Sequence, residues 1–171
     1  GFGIGGIAFA LAAQPTLQNL LSGFTIYADR PLSVGDFCRF GDKMGTVEEI
    51  GLRSTRLRTL DRTVVSVPNS QFLDMELENF ARRDRFLFTT TLGLRYETTP
   101  DQLRFVLAEL RKLSISHPMV LADPLRVRFA GFGAHSLDVE IFSYVMASDM
   151  DSFAAIREDL LLRIMATVDE A

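Results

Sequence analysis

One cysteine and two histidines are the only thiol or imidazole groups in this 171-residue chain. Cys38 alone excludes an internal disulfide framework and a cysteine-based zinc site. His117 precedes Pro118 and His135 sits in a glycine-rich turn, and neither has a nucleophile nearby in sequence. Both read as structural or exposed. The carboxylates are scattered along solvent faces, so the pattern predicts no enzyme, no cofactor and no metal site. Positive charge is scarce too. With 18 Lys and Arg against 22 Asp and Glu, the net charge is −4, and phosphate binding needs clustered cations. Nucleic acid is therefore excluded as the main partner. The arginines at 53, 56, 58 and 62 alternate with Glu48, Glu49 and Asp61 and lack aromatic stacking partners. They read as a solvated strand face or as ion pairs between subunits.

The most localised absence is of charge. Residues 1–28 contain no Asp, Glu, Lys, Arg or His, and Asp29 is the first charged residue. About 20 apolar residues cross a bilayer as a helix, so the segment is long enough to be considered. A secretory signal would have a basic start and a shorter core. The run opens in mid-pattern without a methionine, so the chain is expected to be a fragment of a longer subunit. Small residues recur on a helical period at Gly3, Gly6, Ala10 and Ala13, and such residues let helices approach closely in lipid. Ile7 and Leu11, four apart, share one face. That face either turns toward a common axis in a ring of helices, where apolar constrictions gate by dewetting, or it meets lipid.

Gln14–Pro15 interrupts this run, because proline removes a backbone donor and clashes with the preceding turn. Residues 16–28 then carry Leu17, Leu20, Leu21, Phe24 and Tyr27 with Gln18, Asn19 and Ser22 interleaved. That is the pattern of an amphipathic helix on a membrane surface or on a soluble domain. The expectation is two half-helices hinged at Gln14–Pro15. Gly1, Gly3 and Gly6 fit the G-x-G-x-x-G dinucleotide fingerprint. No strand precedes them and Pro15 interrupts the helix that should come next, so nucleotide binding is rejected.

From Pro31 to Phe80 the signals are short strands separated by turns. Runs at residues 37–40, 45–51, 54–59 and 64–68 alternate between apolar and polar, and their close spacing predicts a small barrel. Residues 86–96 read as a strand. A helix starts at Thr98–Thr99–Pro100–Asp101 and carries Leu103, Val106, Leu107, Leu110 and Leu113 on its period. Strands come next at 125–129 and 137–146, with Gly131 and Gly133 marking a turn. A last helix from Asp151 aligns Phe153, Ile156, Leu160, Ile164 and Val168. The β-α-β-β-α order is a ferredoxin-like split βαβ short of its last strand, which would place a truncation at this end also.

Taken together, the Gly/Ala-rich helix ending in Gln14, then Asn19–Leu20, Gly23, Arg30–Pro31, Val34–Gly35–Asp36, Gly45–Thr46–Val47, Thr59 to Pro68–Asn69–Ser70, and Asn79 carry a resemblance. The chain resembles the small-conductance mechanosensitive channel (MscS) family over essentially its whole length. Ile50–Gly51–Leu52–Arg53 and Thr91–Leu92–Gly93–Leu94–Arg95–Tyr96 are most similar to its longer-subunit members. The resemblance implies a membrane α-helix plus α+β fold in three parts: a kinked pore-lining transmembrane helix (1–29), an Sm-like β-domain (30–80) and a ferredoxin-like αβ domain (81–171). It implies a tension-gated channel that releases ions and small osmolytes on hypo-osmotic shock. The subunits would form a homoheptamer in a bacterial inner membrane, contacting lipid and keeping the residues after 30 cytoplasmic. Ile7 and Leu11 then match the apolar constriction rings, and Gly3, Gly6 and Ala10 the helix-packing positions. Gln14 and Pro15 fall at the kink, where glycine is usual in the family's best-known member, so inactivation through that kink is in doubt. Asn19 matches a position that contacts the β-domain on closing. The competing reading is a non-conducting, membrane-anchored oligomeric scaffold.

Overall fold

A computed structural model describes residues 2–171, with side chains from residue 3 onward. The chain divides into two compact units, one ending at Arg83 and the other running from Asp84 to Ala171.

The first unit opens with helix α1 (Phe2–Asp29). It runs unbroken through Pro15. The two separate half-helices expected from Gln14–Pro15 are thus one helix. A proline in a helix interior removes one hydrogen bond, that of its own missing N–H, and the flanking turns keep theirs. No helix among the described residues is long and apolar enough to cross a membrane. The reason lies in the sequence. Gln14, Gln18, Asn19 and Ser22 make the helix more polar from its middle onward.

Strands β1 (Phe37–Phe40), β2 (Lys43–Ile50), β3 (Ser54–Thr59) and β4 (Val64–Pro68) form an antiparallel meander. The short helix α2 (Asn69–Asp74) leads to β5 (Leu77–Asn79), which pairs with β1. The sheet order is β4-β3-β2-β1-β5. The sheet is open, which corrects the expected closed barrel. The connection from β4 to β5 is spent on α2, and Phe72 of α2 fills the core at 1% exposure rather than leaving β4 to pair with β5. Alternation sorts the faces: Thr55 and Leu57 point inward while Arg56 and Arg58 point out. Arg58 pairs with Glu48 at 2.7 Å and Arg56 with Glu49 at 3.2 Å, both across β2 and β3. Arg56 and Arg58 of the arginine run are therefore ion-paired within their own sheet. Glu48 is the extra residue where the β2–β3 register shifts between Val47 and Glu49. The Arg58 side-chain hydrogen bond holds its carboxyl below the usual range.

The second unit contains β6 (Phe86–Leu94), α3 (Pro100–Ser116), β7 (Arg126–Phe132), β8 (Leu137–Val145) and α4 (Met150–Asp169). β8 lies between β6 and β7 and is antiparallel to both. Gly131 and Phe132 belong to β7, which shifts register there, and the expected turn begins only at Gly133, whose amide donates to the Ser136 carbonyl. Thr99 caps α3 through a reciprocal box with Gln102, and Asp149 caps α4 by accepting from the Ser152 amide. Both helices cover one face of the sheet. Val139, Ile141 and Val145 of β8 meet Val106 and Leu110 of α3 and Phe153, Leu160 and Ile164 of α4. His117 is buried at the end of α3. Its Nδ1 accepts from the Met119 amide and its Nε2 lies 3.1 Å from Asp159. His135 is exposed.

Candidate functional site

The first unit turns on how α1 meets the sheet. Asn19, Ser22, Gly23 and Ile26 sit at an i, i+3, i+4, i+7 spacing, and these positions are the covered face of the helix. Gly23 is there because nothing larger fits. A Cβ on it would lie 2.7 Å from Asn69 Nδ2 and 3.1 Å from the Leu52 carbonyl oxygen. Asn69 is fully buried. Its Oδ1 accepts from Thr55 Oγ1 at 2.9 Å, its Nδ2 donates to the Gly51 carbonyl at 2.8 Å, and its backbone N–H donates to the Arg53 carbonyl. Buried polar groups need such partners to offset the water they lose. One amide side chain thus ties α2, β3 and the β2–β3 turn together directly under α1.

Helix α2 has Pro68 at its N-cap position, and proline offers no side-chain acceptor for the first free amides. Asn19 supplies it from a distance. Its Oδ1 accepts from the Ser70 amide at 3.0 Å and from Ser70 Oγ at 2.8 Å. The cap of α2 is therefore a residue of α1, and the two helices cannot separate without exposing that N-terminus.

The exit from α1 is equally fixed. Arg30 adopts φ 48°, the left-handed conformation that ends helices, and its amide donates to the Ile26 carbonyl. Pro31 cannot continue the helix. Asn79 Nδ2 donates to the Pro31 carbonyl at 3.1 Å and to Asp36 Oδ2 at 2.9 Å, and Arg82 donates to the Arg30 carbonyl. Asp36 Oδ2 also accepts from the Ser33 amide, while Gly35, at φ 95°, sends its amide to the Val47 carbonyl.

Above this junction α1 stands free. Ile7 is 63% exposed and Leu11 64%. They lie about 6 Å apart along the axis, and their face is about 90° around the helix from the docked face. Gln14 and Gln18 continue the same line below them, and with Ala10, Leu17 and Leu21 they border a shallow groove. Gly3 and Gly6 have open space where a Cβ would stand, and Ala10 is exposed. Leu17, Leu20, Leu21, Phe24 and Tyr27 of the lower half are exposed, whereas Ile26 is fully buried. The helix therefore docks by Asn19, Ser22, Gly23 and Ile26 and leaves most of its apolar side uncovered. A helix resting on a soluble domain would do the reverse.

Two family descriptions match the chain. Residues 15–82 match the beta-domain of mechanosensitive ion channels, and residues 88–171 match the C-terminal domain of the mechanosensitive ion channel MscS. The chain belongs to the MscS family. An uncharacterized MscS family protein of Aquifex aeolicus is 39% identical over 98% of this chain and 46% of its own length. The small-conductance mechanosensitive channel MscMJ of Methanocaldococcus jannaschii is 37% identical over 96% of this chain and 47% of its own. The chain thus spans about half the length of these relatives. The fold is shared with a cryo-EM structure of Arabidopsis thaliana MSL1 at TM-score 0.87 and 24% identity, covering 98% of this chain and 61% of that one.

Within this MscS-family chain, the residues that carried the sequence resemblance converge. Asn19, Gly23, Arg30, Pro31, Asp36, Asn69, Ser70 and Asn79 all sit at the junction of α1 and the sheet. Gly3, Gly6, Ile7, Ala10 and Leu11 lie apart from it on the free half, and Gln14 and Pro15 are exposed between the two. Sequence reasoning missed α2 altogether, and with it the buried Thr55–Asn69 pair. Pro68 followed by Asn69–Ser70 was the available signal, since proline is favoured at a helix start.

Proposed function

We propose that this chain is the gate-bearing part of a mechanosensitive ion channel subunit that opens under membrane tension and releases ions and small osmolytes on hypo-osmotic shock. The observation that carries the reading is the division of α1. Its charge-free N-terminal half is exposed at every residue from 3 to 12, while its C-terminal half is locked to the beta-domain through Gly23 and the Asn19–Ser70 bonds. A homoheptameric ring of such helices packs through Gly3, Gly6 and Ala10 and turns Ile7 and Leu11 toward the axis. An apolar constriction of that kind excludes water when narrow. Gln14 and Gln18, next along the same face, then line its polar exit, and the helix bends at Gln14–Pro15. Tension favours the state of larger in-plane area, so an expanded ring gains population. The Asn19–Ser70 link is the contact through which the beta-domain holds the helix on closing.

On this reading residues 1–29 are the pore helix, 30–80 an Sm-like domain that remains open in the single chain, and 81–171 a ferredoxin-like domain. The β6-β8-β7 order with two helices on one face supports the last assignment. The channel sits in a bacterial inner membrane, in contact with lipid, with the residues after 30 in the cytoplasm. The test is excised-patch recording of the full-length protein carrying Leu11→Ser or Ile7→Ser. A polar side chain wets the constriction, so the tension threshold falls or the channel leaks at rest. Threshold and conductance unchanged in both variants would refute the pore assignment. A wild-type protein giving no pressure-activated current in any patch would favour the scaffold.

A further inference from the structure

The second sheet has a face that its own helices leave uncovered. Val139, Ile141 and Val145 point into the core, so Glu140, Phe142 and Tyr144 point the other way. Arg126 stacks on the Phe142 ring with its guanidinium carbon 4.8 Å from the centroid, and Arg85 on Tyr144 at 5.2 Å. The two rings meet edge to face at 5.5 Å, and Leu87 beside them is 46% exposed. Arg126 and Arg128 are exposed and form no ion pair among the described residues. This face is aromatic and carries Arg85, Arg126 and Arg128, with Glu140 opposite Arg128 in the strand register.

Helix α4 presents the complement. Opposite its buried Phe153, Leu160 and Ile164 runs a stripe of Asp151, Ala155, Glu158, Leu162, Met165 and Asp169, spaced by three, four or seven residues. Leu162 is 58% and Met165 62% exposed. Asp151, Glu158 and Asp169 have no ion-pair partner among the described residues. The stripe contains no cation, because Arg157 and Arg163 lie to either side of it. Lengths agree as well. Twenty residues of α4 measure about 30 Å, and the nine-residue strands β6 and β8 also measure about 30 Å.

We propose that the uncovered face of this sheet receives α4 of a second copy of the chain. The two surfaces differ, so the contact is head-to-tail and each copy offers one of each. Such a contact repeats around a ring and closes when the rotation permits. It extends the oligomer proposed above, and rests on it, by naming where the C-terminal units touch. Exposed Leu87, Leu162 and Met165 would be covered, and Arg126 and Arg128 would meet carboxylates at a rim where charge sets register more than affinity.

The test uses the full-length protein with Thr89→Cys on β6 and Ala155→Cys on α4 in one chain. Both positions are exposed, whereas Cys38 is buried and stays silent. Within one chain these positions lie on opposite sides of the sheet–helix layer, beyond the roughly 7 Å Cα separation that a disulfide allows. Mild oxidation is expected to give a ladder running past the dimer, and neither single-cysteine variant should give one. Adding Arg126→Glu with Arg128→Glu should reduce cross-linking at least fivefold, and Asp151→Lys with Glu158→Lys should restore it. A wild-type-sized oligomer by light scattering with no ladder overturns this contact and leaves the oligomer standing. A ladder stopping at dimer overturns the head-to-tail geometry. A monomer by light scattering overturns both this contact and the oligomeric reading.

Discussion

Gly23→Ala adds one methyl group at the tightest point between α1 and the sheet. Its Cβ would stand 2.7 Å from Asn69 Nδ2, closer than side-chain carbons ordinarily come, and 3.1 Å from the Leu52 carbonyl oxygen, which is backbone. The amide end of a side chain normally yields, but here it is held by Thr55 Oγ1 and the Gly51 carbonyl in a fully buried site. Either the amide stays and the helix is pushed off, or the amide moves and two buried groups lose their partner. Overpacking costs about 1–3 kcal/mol, and each orphaned buried polar group about 1–3 kcal/mol. The expected loss is about 2–4 kcal/mol, well above the helix-propensity gain of about 1 kcal/mol from replacing glycine by alanine. Urea unfolding of the full-length protein, followed by far-UV circular dichroism, measures it. Asn69→Ala is the second arm. It removes the obstructing amide, so adding Gly23→Ala to it should cost less than in the wild type, with a coupling on the order of 1–2 kcal/mol. A Gly23→Ala variant within about 0.5 kcal/mol of the wild type, or strict additivity of the pair, would refute the close-contact argument.

Asn19→Ala removes the side-chain cap that α1 provides to α2 and should cost about 1–2 kcal/mol. Hydrogen exchange at the Ser70 amide should rise about tenfold or more, since 1.4 kcal/mol is a factor of ten. Asn19→Asp keeps the acceptor and should stay close to wild type. Cys38 is fully buried, and burial foremost, with Asp36 adding to it, pushes its thiol up to about 11 from 9.0. The folded state holds this proton more tightly than the unfolded one. Stability from this group is therefore complete below pH 9 and declines as the pH rises toward 11. Maleimide at pH 8 should label Cys38 only after denaturant is added. In the second unit burial works against the charge of Asp159, yet bonds from His117 and Arg163 outweigh it and hold the carboxyl below its ordinary value of 3.8. That contribution is complete above the ordinary value and is lost as the pH falls below it through the lowered value of the folded state. Asp159→Asn should flatten the acid limb of a stability–pH curve, and an identical limb would refute the assignment.

The strands and long helices were legible because their patterns are local. Residues 37–40, 54–59 and 64–68 were read with the bounds the structure gives them, since strand alternation and turn residues need no distant partner. The core positions of α3 and α4 came from helical period in the same way. Barrel closure was not legible. Whether β4 pairs with β5 depends on what fills the gap between them, and six residues of α2 carrying Phe72 decided that. The side on which α1 docks was not legible either. The amphipathic pattern left a membrane surface and a soluble domain both open, and the covered face is Asn19, Ser22, Gly23 and Ile26.

By itself, the sequence determined that the first 28 residues carry no charge, that α1 ends before Pro31, and that two short runs of strands and helices come after it. These are consequences of neighbouring residues: side-chain charge, a missing amide, a repeat of two or of about four. Only the tertiary structure decided that Asn19 caps a helix fifty residues away and that Gly23 must be small for Asn69 to stay buried. It also decided that Arg126 and Arg85 lie on aromatic rings of a strand remote from both in sequence. A hydrogen bond or a close contact is satisfied by whichever group arrives, and the identity of that group is set by how the whole chain packs.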